Sequence, residues 1–404
     1  MKYKFETKTI GDCCDIIKKS IHPEKGQVYT CFSLPAFDNS NTPEILNGEE
    51  IKSSKFVLDE NTILFNKLNP KFRRVWNIHS LEKYENTICS TEFLPLKAKA
   101  NIEQDYLYYY VSSPYFTRLM DGIRTGTSNS QQRIDWKQFL REPINVPSLP
   151  IQRKVVSLLR NIDKKIELNN AINNNLEQQA QAIFKSWFID FEPFGGVQPP
   201  EMKFVPLQEL CKVVTKGTTP TTLGKPFTSS GINFIKAESI LDSHSIDSSK
   251  FAFIDEETNA LLKRSVIKAN DIVFTIAGTL GRFAMVDNSV LPANTNQAVA
   301  IIRPDEKKVT PAYLYSFFIG NWHNEYYSKR IQQAVQANLN LTTIKSLPIA
   351  VLSNTTMNNY DELVSPLFAL MKGNEEENRR LSELRDTLLP KLMSSELDVS
   401  NIEF

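Results

Sequence analysis

Residues 147–191 read PSLPIQRKVVSLLRNIDKKIELNNAINNNLEQQAQAIFKSWFIDF, and the fold turns on this stretch. Its apolar side chains Val155, Leu158, Leu159, Ile162, Ile166, Ile172, Leu176, Ala180, Ile183 and Trp187 recur at intervals of three and four, the spacing of one helical face. Pro147 and Pro150 mark the start, because proline is tolerated in a helix only in its first turn. From Ile151 to Phe188 the spacing predicts a helix about 57 Å long at ~1.5 Å per residue. A helix of that length, well beyond the ordinary globular one, requires a partner along its apolar stripe.

The second half of the chain supplies that partner. Sliding it over the first by 205 positions pairs Pro143 with Pro348, Leu158 with Leu363, Ile162 with Leu367, Asn169 with Asn374, Leu176 with Leu381 and Ile183 with Leu388, without a gap. The counterpart helix is expected from about Met357 to Met393, with Pro366 kinking or breaking its first turns. Between Ile151 and Asp190 six basic residues face four acidic, whereas Met357 to Asp398 holds five basic and nine acidic, a balance that favours pairing. We expect the seam to involve Val155, Ile162, Asn169, Leu176, Ile183, Leu367, Asn374, Leu381 and Leu388. Antiparallel packing would bring Asn169 against Asn374 to fix the register.

Ahead of each helix lies a globular segment, and these echo each other more loosely. Ile10 to Ile17 resembles Leu207 to Val214; Asn61, Ile63 and Phe65 match Asn270, Ile272 and Phe274; Tyr106, Leu107 and Tyr108 match Tyr313, Leu314 and Tyr315. The fold class expected is therefore α+β, with two mixed α/β globular domains linked by two long antiparallel helices. Its divisions are 1–148, the helix 149–192, a linker and second domain 193–352, and a closing helix and tail 353–404. Phe194-Gly195-Gly196 to Pro199-Pro200 reads as the boundary between the halves.

Lys and Arg total 47 against 46 for Asp and Glu, so any nucleic-acid affinity must come from local patches. Between Asn61 and Leu81 Lys67, Lys71, Arg73 and Arg74 alternate with Phe65, Phe72 and Trp76, a pattern suited to phosphate contacts. The loop RTGTSNSQQR adds Arg124, Thr127, Ser128, Gln131 and Arg133, groups able to hydrogen-bond base edges. At the 205 offset its counterparts are Lys329, Gln336 and Asn338. In the second domain Lys216, Thr218, Thr219, Lys225 and Lys236 lie in or beside an acid-free run, and Thr279 and Arg282 sit in the glycine-flanked turn GTLGR. Polar loops and solvated hairpins account for such residues too; duplication around one frame favours a reading surface.

The run Pro147 to Phe191 resembles the central conserved region of the specificity subunits of type I restriction-modification enzymes. The tail ENRRLSELRDTLLPKLMSSELDVS resembles their distal conserved region, with SSEL at Ser394 to Leu397 in place of a commoner glycine-containing turn. PLQELCKVVTKGTTP and NDIVFTIAGTLG are also similar to that family. The resemblance implies two target-recognition domains that each read half of a split DNA site, and paired helices that act as a ruler in a circular pseudo-twofold arrangement. It implies as partners double-stranded DNA, two modification (methyltransferase) subunits and restriction (nuclease and translocase) subunits, with no cofactor and no chemistry in the chain itself. A second reading, a helical scaffold that assembles proteins without reading sequence, uses the same helices.

Signatures of catalysis are weak. GTTPTTLGK at 217–225 departs from a phosphate loop, since six residues separate its glycines and Pro226 stands where Ser or Thr would hold magnesium. His22, His79, His244 and His323 lack metal-ligand spacing. The five cysteines form no Cys-x-x-Cys pair, and no stretch approaches a membrane span, which points to a reducing cytoplasm.

Overall fold

A computed structural model describes residues 3–124, 132–323, 339–394 and 396–400 of the chain. It divides into two compact units, one of Met1–Leu168 with Glu377–Phe404, the other of Asn169–Glu376. The division cuts through both long helices, so each unit takes a part of each.

Both helices form, over Leu149–Phe188 and Asn354–Met393, 40 residues apiece. Within each unit they run antiparallel. In the first, Val155 and Leu159 share a buried cluster with Leu389 and Leu392, Asp163 meets Arg385 at 2.8 Å and Lys165 meets Glu377 at 3.2 Å. In the second, Leu176, Ala180 and Phe184 are buried, and the Phe184 ring centroid lies 6.3 Å from that of Tyr360. Ile162 is buried, while Ile183, Leu367, Leu381 and Leu388 are half-buried.

Two details of the helices correct the sequence reading. Asn374 donates to the Asn173 side-chain oxygen at 2.7 Å, and Asn173 donates to the Met371 carbonyl at 3.1 Å, so the partner of Asn374 lies one turn beyond the expected Asn169. Both candidates occupy the same helical face, four residues apart, and face periodicity alone does not separate them. Asn169 itself is buried. Pro366 does not break the second helix, which also begins one turn sooner than expected. The carbonyl that Pro366 leaves without its N–H belongs to Glu362, and both residues are exposed, where water can serve as the donor.

The duplication is visible in the sheets. In the first unit, strands Cys14–Ile16, Phe93–Ala98, Thr62–Asn66 and Val75–Ile78 lie side by side in that order; in the second, Cys211–Lys216, Val299–Pro304, Ile272–Thr275 and Phe283–Met285 repeat the order. A separate two-stranded ribbon closes each unit, Phe5–Thr9 on Pro143–Pro147 and Lys203–Pro206 on Pro348–Val351, all antiparallel. Asn61 and Asn270 both adopt left-handed backbone, at φ 54° and 65°, which asparagine tolerates better than most residues and which explains their repetition. Tyr106 donates its hydroxyl to the Asn145 carbonyl at 3.0 Å, and Tyr313 donates to that of Ala350, the residue equivalent to Asn145. Each unit thus fastens its tyrosine-bearing helix to its closing ribbon with the same bond.

The chemistry between sheet domain and helices differs. In the first unit Asp163 accepts from Tyr109 at 2.6 Å and from Arg385 at 2.8 Å, a charged seam that is only a fifth to a quarter exposed. At the 205 offset Asp163 corresponds to Phe368, which packs edge-on against Tyr315 at 5.2 Å, and Arg385 corresponds to the fully buried Ala180. At these two positions, then, an ion pair in one unit is replaced by apolar packing in the other.

Candidate nucleic-acid interface

The hairpin Thr62–Asn66 to Val75–Ile78 projects the loop 67–74 from the edge of the first sheet. A segment remote in sequence joins it there. The Ile134 N–H donates to the Lys67 carbonyl at 3.0 Å, the Asn69 N–H donates to the Gln132 carbonyl at 2.8 Å, and Leu68 bridges Arg133. The described end of the second nominated stretch, with Arg133, thus lies beside the first. In the second unit the hairpin Ile272–Thr275 to Phe283–Met285 carries the turn 276–282, and the Leu339 N–H donates to the Ile276 carbonyl at 3.0 Å. Residue 339 corresponds to 134 and 276 to 67, so the same backbone bond recurs in both units while the side chains around it differ.

Several nominated side chains in the first unit already hold partners. Arg74 forms a two-pronged pair with Asp38 at 2.7 and 2.6 Å, Arg133 with Glu92 at 3.1 and 2.8 Å, and Arg73 meets Asp386 at 3.2 Å. Arg124 pairs with Asp121. The Lys71 ammonium and the Arg74 guanidinium lie 4.9 and 4.8 Å from the centroid of the half-exposed Phe72 ring. Lys67 is half-buried. Thr127, Ser128 and Gln131 lie outside the described residues, as do Lys329, Gln336 and Asn338.

In the second unit a further strand end converges on the turn. Ile276 and Ala277 donate their N–H groups to the Ala298 carbonyl at 2.8 and 3.3 Å, and Gly217 donates to that of Asn296 at 3.1 Å, which places 216–219 beside 296–298. Lys216 is exposed, Thr219 bonds Gln297, and the Arg264 guanidinium reaches the Lys216 carbonyl at 3.5 Å and Thr218 at 3.4 Å. Arg282 makes a two-pronged pair with Asp242 at 2.7 and 2.6 Å, tying the turn to residues 240–242. Thr279 offers its carbonyl to the Thr275 hydroxyl. Lys225 pairs with Glu257 at 2.7 Å and Lys236 with Glu238 at 2.6 Å. Sequence reasoning missed Arg264 and Gln297, which lie far along the chain from the residues they touch.

Comparison with known proteins decides the family. A model described as the type I restriction modification DNA specificity domain matches residues 2–178 and again 199–352. The chain belongs to that family. Among curated relatives, this specificity chain is 24% identical to the type I restriction enzyme HindI specificity subunit of Haemophilus influenzae, over 91% of itself and 96% of the relative. It is 25% identical to the MjaIX specificity subunit of Methanocaldococcus jannaschii, over 75% and 71% respectively. A crystal structure of a type I restriction-modification S subunit from M. genitalium shares its fold, with a TM-score of 0.50 at 16% identity and 96% coverage of both chains. The two matched stretches are the two halves of the repeat, so both copies of the domain are the family's DNA specificity domain.

Among the described residues no group of His, Cys, Asp and Glu is arranged to hold a metal, and no helix is long and apolar enough to cross a membrane. Cys13, Cys14, Cys31 and Cys89 are buried free thiols, and burial pushes the thiols of Cys13 and Cys31 up to about 11, which suits packing more than reactivity.

Proposed function

We propose that this chain is the non-catalytic reader of a cytoplasmic restriction-modification complex, and that each unit reads one half of a bipartite DNA site. The observation that supports this most is the repeated backbone bond, Ile134 to Lys67 and Leu339 to Ile276, which sets a hairpin turn beside a second loop in both units. A shared frame with unlike side chains is what two different base sequences require. Target-recognition domains 1–148 and 193–352 would present these edges, and the two long helices, each of which enters both units, would carry the spacing between half-sites.

Within each edge the roles divide by chemistry. Arg74, Arg133 and Arg282 fix their loops through carboxylate pairs, so they serve first as positioning groups. Lys67, Lys71, Lys216, Thr218 and Thr219 carry the donors for DNA. The near-neutral chain gains the rest of its phosphate contacts from modification subunits, whose catalytic groups act on the bound site, and a restriction subunit joins the same complex.

The test is a titration of the complex with its modification subunits on duplexes that carry single base changes in either half-site, at fixed salt. Each wrong base is expected to cost about 1–3 kcal/mol in whichever half-site it falls. Equal affinity for all duplexes would leave a helical scaffold without sequence readout.

A further inference from the structure

We propose that Lys18 and Lys137, set against the exposed Trp136, form with the adjoining Lys67 a sequence-independent clamp on the DNA phosphodiester backbone in the first unit. The proposal rests on the DNA-reading role given above. Trp136 opens the short helix Trp136–Arg141 and is 40% exposed, so its ring face is open to ligands as well as to the lysines beside it. The Lys18 ammonium lies 4.2 Å from the centre of its ring and that of Lys137 5.8 Å. Both cations are drawn to the negative face of the indole, which restricts two otherwise mobile side chains. Lys67 adjoins them, because its carbonyl accepts the N–H of Ile134, two residues before Trp136.

The neighbouring carboxylates are engaged with other groups. Asp135 caps the short helix by accepting the Lys137 backbone N–H at 2.9 Å, and Glu92 is paired with Arg133. The Lys18 ammonium is held below its ordinary range, first by partial burial and then by the charge of Lys67. Like charges kept close together repel in the free protein, and a phosphate oxygen between them removes that repulsion. Lysine is a compact point charge, suited to positioning a backbone more than to the two-pronged recognition of a base that arginine provides.

Among the described residues, the positions equivalent to this group in the second unit carry no lysine and no tryptophan. By the repeat, Lys18 corresponds to Thr215, Lys67 to Ile276, Trp136 to Leu341 and Lys137 to Thr342. Asp135 and its counterpart Asn340 both cap their helices, so the backbone frame is common and only the charged groups differ. This particular group is therefore expected to act at the half-site read by the first unit.

The experiment measures affinity for the complete site against salt concentration, using the full chain with its modification subunits. For Lys18→Gln with Lys137→Gln, the slope of log affinity against log salt is expected to shrink by about 2, near 0.9 per lost phosphate contact. Affinity at ~0.15 M salt should fall on the order of tenfold. Discrimination against wrong bases in both half-sites stays as in the parent, and the double arginine variant restores the slope. An unchanged slope, or a loss confined to base preference in one half-site, overturns the clamp while leaving the specificity role standing. A parent complex with no base preference overturns the specificity role instead.

Discussion

Gly217→Ala is expected to destabilise the second unit by about 3 kcal/mol, the upper range for forcing atoms into a packed site, and to erase base preference in one half-site only. A Cβ at residue 217 would lie 1.8 Å from the Thr295 carbonyl oxygen and 2.7 Å from that of Asn296. Both obstacles are backbone, so no side-chain rotation relieves the clash. Thr295 cannot retreat easily either: it is fully buried, and its hydroxyl donates to the Ile235 carbonyl at 2.6 Å. The strain must move Lys216 to Thr219 away from Gln297 and Arg264, which is the edge proposed to meet DNA. Gly373→Ala is the control. That glycine lies within the second long helix with nothing within 4 Å of the added carbon, so alanine there should stabilise by up to about 1 kcal/mol. Urea titration of the two variants would show shifts of opposite sign; equal shifts would mean that the close approach at Gly217 does not constrain the fold.

Asp271→Ala is expected to cost about 3–5 kcal/mol, the usual penalty for removing one member of a buried ion pair. Asp271 is fully buried and accepts both Arg303 nitrogens at 2.7 and 2.6 Å, while its second oxygen also takes the Lys268 N–H at 2.7 Å. Alanine leaves a guanidinium that is only a fifth exposed without its counter-charge, holding just the Val266 carbonyl at 3.0 Å, and strands the Lys268 N–H. The loss falls at the foot of the strand Ile272–Thr275, which carries the turn 276–282 proposed to meet DNA. Replacing the pair together, Asp271→Leu with Arg303→Met, should recover part of the stability because no stranded charge remains. A single variant that unfolds at the parent's urea midpoint would show the pair to be energetically idle.

How much of this was legible beforehand depended on the range of the forces involved. Helix periodicity is local, and the first long helix extends only two residues beyond its expected start at Ile151. The second begins at Asn354 rather than Met357 and ignores Pro366, because an exposed proline inside a helix packed along its length loses a bond that water can replace. The expected partner of Asn374 misled in another way: Asn169 and Asn173 share a face, and only the packing distance chose Asn173. The sheet domains were harder to read, since their repeat survives mainly where backbone geometry demands a residue type, as at Asn61 and Asn270. Position 271, beside one of these, is a buried Asp paired with a half-buried arginine, whereas its counterpart Thr62 donates to the Asp59 carbonyl at 2.8 Å.

Beyond the pairing of the two helices, long-range contacts were not legible. Basic residues stood out as candidate DNA contacts, but nothing in a linear sequence says that Asp38, Glu92 and Asp242 will meet Arg74, Arg133 and Arg282. Nor does it say that residue 134 will bond residue 67. Those contacts change the reading of the arginines from free donors to loop anchors. They also leave the lysines near Trp136 to be read by what they touch, the indole ring, instead of by their charge alone.

Photocrosslinking tests the central claim most directly. With 5-iodouracil placed at successive thymine positions of each half-site, the complex would be irradiated and the linked peptides identified. Crosslinks to 67–74 and 132–134 from one half-site, and to 216–219 and 276–282 from the other, are the expected outcome. Crosslinks from a single half-site to both sets, or only to the long helices, would contradict it.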